Sequence, residues 1–537
     1  MNRSPRPGGP HSPGSLNAAQ RARSLARLAE ERYDVIVVGG GVTGAGVALD
    51  AASRGLQTAL VERVDLAAGT SRWSSKLVHG GLRYLAQGDL GIAYESARER
   101  HCLMTRIAPH LVRPLANIVP DTGRLAAAAG GAGIVLADAL RRAARTPEDL
   151  LPRPQRVSGQ RIRELVPAAR PGLRGTSYYD GQLEDDARLV IALARTAAAY
   201  GADIVTHCAA RPLGPDRAEL ADRITGGRLE ARGHVVLATG VWGDEFEPSL
   251  RITPSRGSHL VLRAERLGFP RAQLSAPVPG HFGRFAFTVP LGDGLVLLGV
   301  TDEPAPGADG LAPAVPPEDE AFLLATMSTV LERPLTPADV VGRFAGLRPL
   351  VARTTAHGGA GAHGGSRAGR HGGSGAGTAD ASRRHLLIDE PGRPITVTGG
   401  KLTTYRRMAE DAVDAVLRRR GTPSGTGRTA ACRTRGLPLL GAAPPEALAA
   451  VRAPARLVRR YGTLAAEVQA LADADPALAQ PVAPGCPTIA AEFVYGVLHE
   501  GALTVADLLE RRTRVGFVEA DLAAADPSAE TALSHGG

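Results

Sequence analysis

Apolar and polar positions near the start of the chain predict a strand, a helix and a second strand. Tyr33–Val38 (YDVIVV) is a β-branched apolar run, which is typical of a strand buried on both faces. Helical periodicity follows in Val47–Ser53, and Gln57–Glu62 (QTALVE) is a second apolar run. A strand, a helix and a strand within about 30 residues indicate the beginning of a parallel sheet.

Later segments continue this alternation. The predicted elements are helices over Ser24–Arg32, Ala187–Tyr200 and Thr403–Arg418, and strands over Ile204–His207, His234–Leu237 and Pro394–Val397. Two apolar runs, Phe285–Val289 and Leu295–Val300, flank a Gly-Asp-Gly sequence at 292–294, which predicts a hairpin. The Ala-, Leu- and Arg-rich remainder predicts a helical C-terminal domain.

Composition excludes several classes of protein. With 44% hydrophobic residues among 537, the chain can bury a large core. Its four cysteines are widely spaced without a C-x-x-C, which argues against a zinc ribbon, a redox dithiol or a disulfide scaffold and fits a reducing cytoplasm. The net charge of +9 suggests nucleic acid, but only 4% of the residues are aromatic and no basic run is interleaved with them. We therefore expect no nucleic-acid partner.

Three segments bear on localisation and metal binding. Residues 1–23 are rich in Pro, Gly and Ser and lack an apolar core, so a disordered tail is predicted rather than a signal peptide. Leu125–Leu140 is shorter than the roughly 20 residues that span a bilayer. It favours a buried helix or loop, with a surface-docking segment as the alternative because arginines follow it. The Gly/His-rich stretch 357–377 predicts a flexible loop, and no metal is expected.

A glycine pattern after the first predicted strand indicates a dinucleotide site. Gly39, Gly41 and Gly44 form G-x-G-x-x-G, and Glu62 ends the next strand. In such a motif the glycines permit a tight turn, close approach of the backbone to a pyrophosphate, and close helix–strand packing. The helix N-terminus favours the phosphates, and the acidic residue can accept ribose hydroxyls. Because the strand, the helix and the acidic residue all stand at the spacing of this motif, a chance glycine turn explains the pattern poorly.

The fingerprint alone does not separate FAD from NAD. The sequence Ala238-Thr239-Gly240 ends a later strand, as it usually does in FAD domains of the glutathione-reductase-like fold. A second G-x-G-x-x-G for a nicotinamide cofactor is not found. FAD is therefore the predicted cofactor.

Several separated motifs resemble those of one family. Gly69–Leu85 reads GTSRWSSKLVHGGLRYL, and further matching segments are YDGQLEDDARL (179–189), GSH (257–259), GVTD (299–302), GLRP (346–349), SRRH (382–385) and GGKLTTY (399–405). In this order they resemble the FAD-dependent, quinone-linked glycerol-3-phosphate dehydrogenases. The likeness covers about residues 33–418 and returns weakly at Tyr495–Phe517.

The resemblance implies an α/β fold. It consists of a glutathione-reductase-like FAD-binding domain, an interleaved antiparallel-sheet substrate domain and a C-terminal helical domain. We expect the FAD-binding domain in 24–110, 180–250 and 385–420, the substrate domain in 111–179 and 251–384, and the helical domain in 430–537. The implied reaction is oxidation of sn-glycerol 3-phosphate to dihydroxyacetone phosphate by hydride transfer to FAD N5. A membrane quinone would reoxidise the reduced flavin.

The resemblance also carries site residues onto this chain. The substrate-binding candidates are Arg83, Tyr84, His259, Arg348, Arg383 and Lys401. The general base is expected to be His259 or His79, with an arginine-assisted or an unidentified base as the remaining option, and Arg348 is a further catalytic candidate. The cofactor-binding candidates are Gly39, Gly41, Gly44, Glu62, Thr70, Ser71, Ser74, Ser75, Lys76, Leu77, His79, Ala238, Thr239, Gly240, Gly399, Gly400, Lys401, Leu402 and Thr403.

Other functions stay open at this stage. The same motifs serve a glycerol-3-phosphate oxidase that makes hydrogen peroxide, while an amino-acid or sarcosine-type oxidase agrees less well with GLRP and GGKLTTY. A non-catalytic flavin-binding protein is the alternative from another class. We expect a cytoplasmic protein, with peripheral contact at the inner face of the cell membrane and a homodimer both compatible with the sequence. Lys76 and Lys401 are the two lysines in the chain, and both lie in these motifs.

Overall fold

A computed structural model describes residues 14–81, 89–121, 124–281, 283–353, 385–421 and 431–536. The predicted substrate residues Arg83, Tyr84 and Arg383 and the Gly/His-rich segment 357–377 lie outside these ranges.

The chain alternates strands and helices in its first 240 residues and becomes helical after residue 400. The strands are β1 (Arg32–Val38), β2 (Thr58–Val61), β3 (Leu77–Val78), β4 (Val112–Pro120), β5 (Gln155–Val157), β6 (Gly175–Leu183), β7 (Asp203–Val205), β8 (Cys208–Pro212), β9 (Arg217–Asp222), β10 (Arg228–Leu237), β11 (Leu250–Arg263), β12 (Ala272–Pro277), β13 (Phe285–Pro290), β14 (Leu295–Gly299), β15 (Glu303–Pro304), β16 (Val340–Arg353), β17 (His385–Ile388) and β18 (Ile395–Gly399).

The α-helices fall into two groups, those that cover the sheets and those of the C-terminal region. They are α1 (Ala18–Glu30), α2 (Val42–Ser53), α3 (Leu90–Cys102), α4 (Arg124–Ala143), α5 (Gly159–Leu165), α6 (Asp186–Ala199), α7 (Pro317–Ser328), α8 (Tyr405–Arg419), α9 (Pro445–Ala449), α10 (Ala455–Tyr461), α11 (Ala465–Ala474), α12 (Ala490–His499), α13 (Val505–Asp507) and α14 (Glu519–Leu533).

The first sheet has a parallel centre with the strand order β18-β10-β1-β2-β7. Val35 and Val37 of β1 contribute to one hydrophobic cluster, while Ile36 and Val38 contribute to another on the opposite face. This is the burial on both faces that the YDVIVV run predicts. Strand β17 pairs antiparallel with β18 at one edge, and β8 and β9 continue antiparallel from β10.

The second sheet is almost wholly antiparallel and carries the longest strands. Strands β11 and β16, of 14 residues each, pair along their whole length. Strands β13 and β14 form the hairpin predicted around residues 292–294. The two sheets and the helical C-terminal region confirm the predicted α/β architecture. The numerical domain boundaries stay predictions.

Buried ion pairs fasten the C-terminal helices to the first sheet. Asp65 follows β2, and its carboxylate accepts from Arg511 and Arg512 at 2.7 Å each. The Asp65, His207 and Asp507 side chains lie close enough together to resemble a metal site. Because arginine guanidinium groups already neutralise both carboxylates, we interpret this group as an interdomain contact.

The predicted N-terminal tail, residues 1–23, includes residues that belong to the fold. Helix α1 begins at Ala18, within the segment 1–23 that the sequence assigned to a tail, and residues 14–23 belong to the described fold. Two contacts explain the difference. The Asn17 side chain caps the helix by accepting from Gln20 N at 2.9 Å, and the buried Arg21 pairs with Asp222 at 2.5 Å.

The apolar segment Leu125–Leu140 lies in helix α4, and several of its described side chains are exposed, which disagrees with the favoured prediction of a buried helix or loop. Val135 is 71% exposed and Leu136 is 39% exposed. Helix α4 packs beside α3, whose Leu90 and Tyr94 are also exposed. Within the described ranges, no helix is long and apolar enough to cross a membrane.

Candidate active site

The predicted dinucleotide motif forms a close junction between β1 and α2. A Cβ atom on Gly44 would lie 1.9 Å from the Gly39 carbonyl oxygen, and a Cβ atom on Gly39 would lie 2.5 Å from the Ala238 carbonyl oxygen. These positions therefore admit only glycine. Helix α2 begins at Val42, and Gly41 is its N-cap, so the first-turn amides point out of the carboxyl edge of the sheet.

Other predicted cofactor residues surround the same edge. Glu62 accepts from Gly40 N at 2.6 Å and from Val64 N at 2.8 Å, which places its carboxylate beside the glycine turn. The Thr239 hydroxyl is buried and has no hydrogen-bond partner within the described part of the chain. Ser71 Oγ accepts from Val42 N at 2.9 Å. We call the glycine turn between β1 and α2 and the groups around it the FAD cradle. The turn, the Glu62 carboxylate and the unpaired Thr239 hydroxyl suit a dinucleotide.

A second wall of the cradle comes from the end of β18. Strand β18 pairs with β10, so the turn after Gly399 lies beside Ala238-Thr239-Gly240. Gly399 and Gly400 both have left-handed backbone conformations, with φ of 72° and 70°. Leu402 and Thr403 then form a short 3₁₀ turn that leads into α8. Backbone amides at such a helix entrance can stabilise negative charge.

Segment 70–78 joins the cradle to the second sheet. Thr70 Oγ1 donates to the Leu347 carbonyl of β16 at 2.7 Å, and Ser75 Oγ shares a hydrogen bond of 2.8 Å with His259 Nε2 on β11. Leu77 enters β3, and the half-buried His79 follows that strand directly. The predicted cofactor segment thus contacts both the helix α2 entrance and the predicted base.

The side chain of Lys76, one of the predicted cofactor-binding residues, points into the protein interior. The side chain is fully buried, and Nζ lies 2.8 Å from Asp186 Oδ1 and donates to the carbonyls of Arg72 and Ser74. Ser74 N also donates to Asp186, at 2.9 Å. The ammonium therefore fixes the shape of segment 70–78, and contact between residue 76 and a cofactor has to come from its backbone.

His259 lies in a tight slot within the second sheet. It pairs with Gly299 of β14 on one side and with Phe344 of β16 on the other. A Cβ atom on residue 299 would lie 2.4 Å from the His259 ring, and the Phe344 ring stacks on His259 at 4.7 Å. Burial, with the charges of Lys76 and Arg348, lowers the pKa of His259 to about 3. The imidazole is therefore neutral at physiological pH.

Arg348 lies on the same face of the sheet as His259. Its Nη1 donates to Asp302 Oδ1 at 3.3 Å, and its Nη2 donates to the Thr301 carbonyl at 3.1 Å. A Cβ atom on Gly257 would lie 2.4 Å from Arg348 Nη2, so the guanidinium extends over Gly257 and towards His259. Lys401 lies in the turn after β18, and its ammonium donates to Ser96 Oγ of helix α3 at 3.1 Å.

The sequence reasoning missed the residues that hold these side chains. Asp302 lies in the GVTD motif and Asp186 in the YDGQLEDDARL motif, but both were quoted without a role. Their positions within these motifs are the sequence signal that could have drawn attention to the two aspartates. Only the fold shows that Asp302 faces Arg348 and that Asp186 faces Lys76.

Comparison with known families agrees with this geometry. Residues 34–386 match the family model for FAD dependent oxidoreductases, and residues 432–532 match the model for the C-terminal domain of alpha-glycerophosphate oxidase. A dinucleotide cradle connected to a sheet that presents a histidine and an arginine thus belongs to an FAD-dependent oxidoreductase.

Similar proteins with known names indicate which family of FAD-dependent oxidoreductases the chain belongs to. Glycerol-3-phosphate dehydrogenase 1 of Mycobacterium tuberculosis is 48% identical over 523 residues, 95% of this chain and 97% of the relative. Glycerol-3-phosphate dehydrogenase of Synechocystis is 32% identical over 545 residues, 93% of this chain and 92% of the relative. The chain belongs to the FAD-dependent glycerol-3-phosphate dehydrogenase family.

A solved structure supports the fold. The FAD complex of glycerol-3-phosphate dehydrogenase from Bacillus halodurans matches with a TM-score of 0.67 at 24% identity, over 97% of this chain and 98% of that chain. The match includes the C-terminal helices, so the two-sheet fold with its helical extension is common to both.

We expect Gly44→Ala to reduce the FAD content of the purified protein at least about tenfold, because the added methyl group separates α2 from β1 and distorts the pyrophosphate turn. The measurement is the ratio of flavin to protein absorbance. Gly214→Ala is the control, since no atom lies within 4 Å of a Cβ atom placed there. Normal FAD content in Gly44→Ala would contradict this view of the cradle.

Proposed function

We propose that this protein oxidises sn-glycerol 3-phosphate to dihydroxyacetone phosphate with FAD, and that a membrane quinone reoxidises the cofactor. The names of the relatives suggest the substrate. One structural observation carries the proposal: a neutral His259 and the cationic Arg348 lie on one face of the second sheet and are linked to the FAD cradle by segment 70–78. This pair suits a substrate with a carbinol at one end and a phosphate at the other.

His259 is the proposed general base. As the C2–H bond breaks, the C2 hydroxyl must lose its proton, and Nε2, which shares a hydrogen bond with Ser75, is the proposed acceptor. Bound FAD supplies the acceptor for the hydride, at N5. Burial is the main cause of the lowered pKa of His259, and a phosphate dianion near Arg348 would offset only the smaller contribution of the neighbouring cations.

Arg348 is the proposed centre of the phosphate site. Asp302 and the Thr301 carbonyl orient its guanidinium before the substrate arrives, and a guanidinium can bind phosphate through two parallel hydrogen bonds. Lys401 would add a second cation from the opposite wall. Arg83, Tyr84 and Arg383 remain candidates from the sequence motifs.

An exposed apolar surface supports contact with a membrane. We define the α3–α4 patch as Leu90, Tyr94, Val135 and Leu136, which are between 39% and 71% exposed. Arg98 and Arg145 are exposed on the same two helices or directly after them. Apolar side chains flanked by arginines suit the interface of an anionic bilayer.

The wild-type holoenzyme should lose its oxidised-flavin absorbance when sn-glycerol 3-phosphate is added without oxygen. The 1-phosphate enantiomer is the control, and it should react at least about tenfold more slowly because its carbinol hydrogen is misplaced. A flavin that stays oxidised in FAD-loaded protein would refute the proposed substrate. Faster reoxidation by menaquinone than by oxygen is expected, whereas rapid peroxide formation would identify an oxidase.

Replacing the proposed base should slow this flavin reduction. We expect His259→Ala to reduce the limiting rate by about 10²–10⁴-fold, with FAD content retained. His234→Ala is a matched control, because His234 lies on β10, outside the second sheet. If His259→Ala reduced the flavin normally, the base would have to be sought elsewhere, and His79→Ala in parallel tests the alternative.

The α3–α4 patch should control membrane binding. We expect Val135→Asp to weaken binding to phosphatidylglycerol vesicles roughly tenfold or more, since burial of one valine contributes about 1.5 kcal/mol or more. Ile224→Asp is the control, because Ile224 is 55% exposed in the turn between β9 and β10. Equal vesicle sedimentation of the two variants would exclude this patch as the docking surface.

A further inference from the structure

The C-terminal domain reaches the back of the proposed base through a row of aromatic rings. Phe517 lies in a short 3₁₀ turn, Val515–Phe517, and is buried. Its ring stacks on Phe344 with centroids 5.1 Å apart, and Phe344 stacks on His259 at 4.7 Å. Both ring pairs are inclined by only 15°, so the three rings form one nearly parallel stack.

Strand β16 is shaped to admit this contact. Side chains alternate along a strand, so residues 342, 344 and 346 share one face. A Cβ atom on Gly342 would lie 1.8 Å from the Phe517 carbonyl oxygen, and one on Gly346 would lie 2.6 Å from the Trp73 carbonyl oxygen. Two glycines in a strand weaken it, by roughly 0.5–1 kcal/mol each, and here they allow the C-terminal backbone and segment 70–78 to touch the sheet.

Charged groups connect the same three parts of the molecule. Lys76 Nζ lies 5.2 Å from the centre of the Phe344 ring and 5.0 Å from that of Phe517, within the range of a cation–π contact. Arg72, also in segment 70–78, forms an ion pair with Glu510 of the C-terminal domain. Segment 70–78, which borders the FAD cradle, therefore also helps to hold the aromatic stack in place.

We infer that Phe517 is a positioning residue for the active site, and that through Phe344 it fixes the His259 ring in the orientation needed for proton transfer. The inference rests on the proposed function, since it assigns His259 the role of base. Phe517 itself touches neither substrate nor cofactor in this account. The C-terminal domain would then have two roles. It would stabilise the fold, and through Phe517 and Phe344 it would hold the His259 ring in place.

The test compares two phenylalanines of the same domain. Phe517→Leu removes the ring from the stack, whereas Phe493→Leu makes the same change in the buried core of the C-terminal helices. We expect both holoenzymes to retain FAD and to show similar falls in melting temperature. Phe517→Leu alone should lower the limiting rate of flavin reduction by sn-glycerol 3-phosphate about tenfold, because a small misplacement of a catalytic group is costly. The substrate concentration at half-maximal rate should stay within about twofold, since the phosphate contacts are unchanged.

A third variant makes the outcome decisive. Phe517→Tyr keeps the aromatic face and should restore the limiting rate. Equal rates in Phe517→Leu and Phe493→Leu, or failure of Phe517→Tyr to recover activity, would overturn the inference.

A fluorescence measurement separates this inference from the proposed function. Trp73 stacks on Phe344 at 5.2 Å, and with Trp242→Phe as the background it is the sole tryptophan. Acrylamide quenching of Trp73 should rise in Phe517→Leu but not in Phe493→Leu. If the wild-type flavin is not reduced by sn-glycerol 3-phosphate, the proposed function fails, and unchanged quenching would overturn the positioning role on its own.

Discussion

The antiparallel pairing of β11 with β16 is the constraint on which the proposed active site depends. Its register places His259 opposite Phe344 and Ser255 opposite Arg348. Residues 255 and 259 are four positions apart, about 13 Å along a strand, and the guanidinium of Arg348 shortens this gap by lying over Gly257. A slip of one residue would turn one partner to the opposite face of the sheet. The long pairing therefore fixes which chemical groups meet.

The remaining contacts bring the FAD cradle to this face. Segment 70–78 leaves the neighbourhood of helix α2 and reaches the second sheet through Thr70 and Ser75. The buried pair of Lys76 and Asp186 holds the segment in its turn, where Lys76 adopts a left-handed φ of 58°. Removal of one partner of such an ion pair leaves the other charge buried and uncompensated. A lysine buried this way stabilises the site without touching the reactants.

The sequence allowed the local parts of this account to be predicted, because their chemistry is encoded within short stretches. The turn at Gly39–Gly44 needs glycine for close approach, and YDVIVV needs burial on two faces, so both were visible as patterns. The family motifs also suggested His259 and Arg348 as candidate site residues. Contacts across the fold were not visible. Nothing in the local sequence pairs Lys76 with Asp186, brings Phe517 behind His259, or shows that Arg21 anchors an N-terminal helix. The exposure of Val135 likewise depends on which neighbours cover helix α4.

The most direct test of the central claim is a crystal structure of the protein whose FAD has been chemically reduced beforehand, so that bound sn-glycerol 3-phosphate cannot react. We predict the C2 hydroxyl within hydrogen-bond distance, about 3 Å, of His259 Nε2, and the phosphate against the guanidinium of Arg348. A substrate bound away from the shared face of β11 and β16, or with its phosphate directed away from Arg348, would contradict the account.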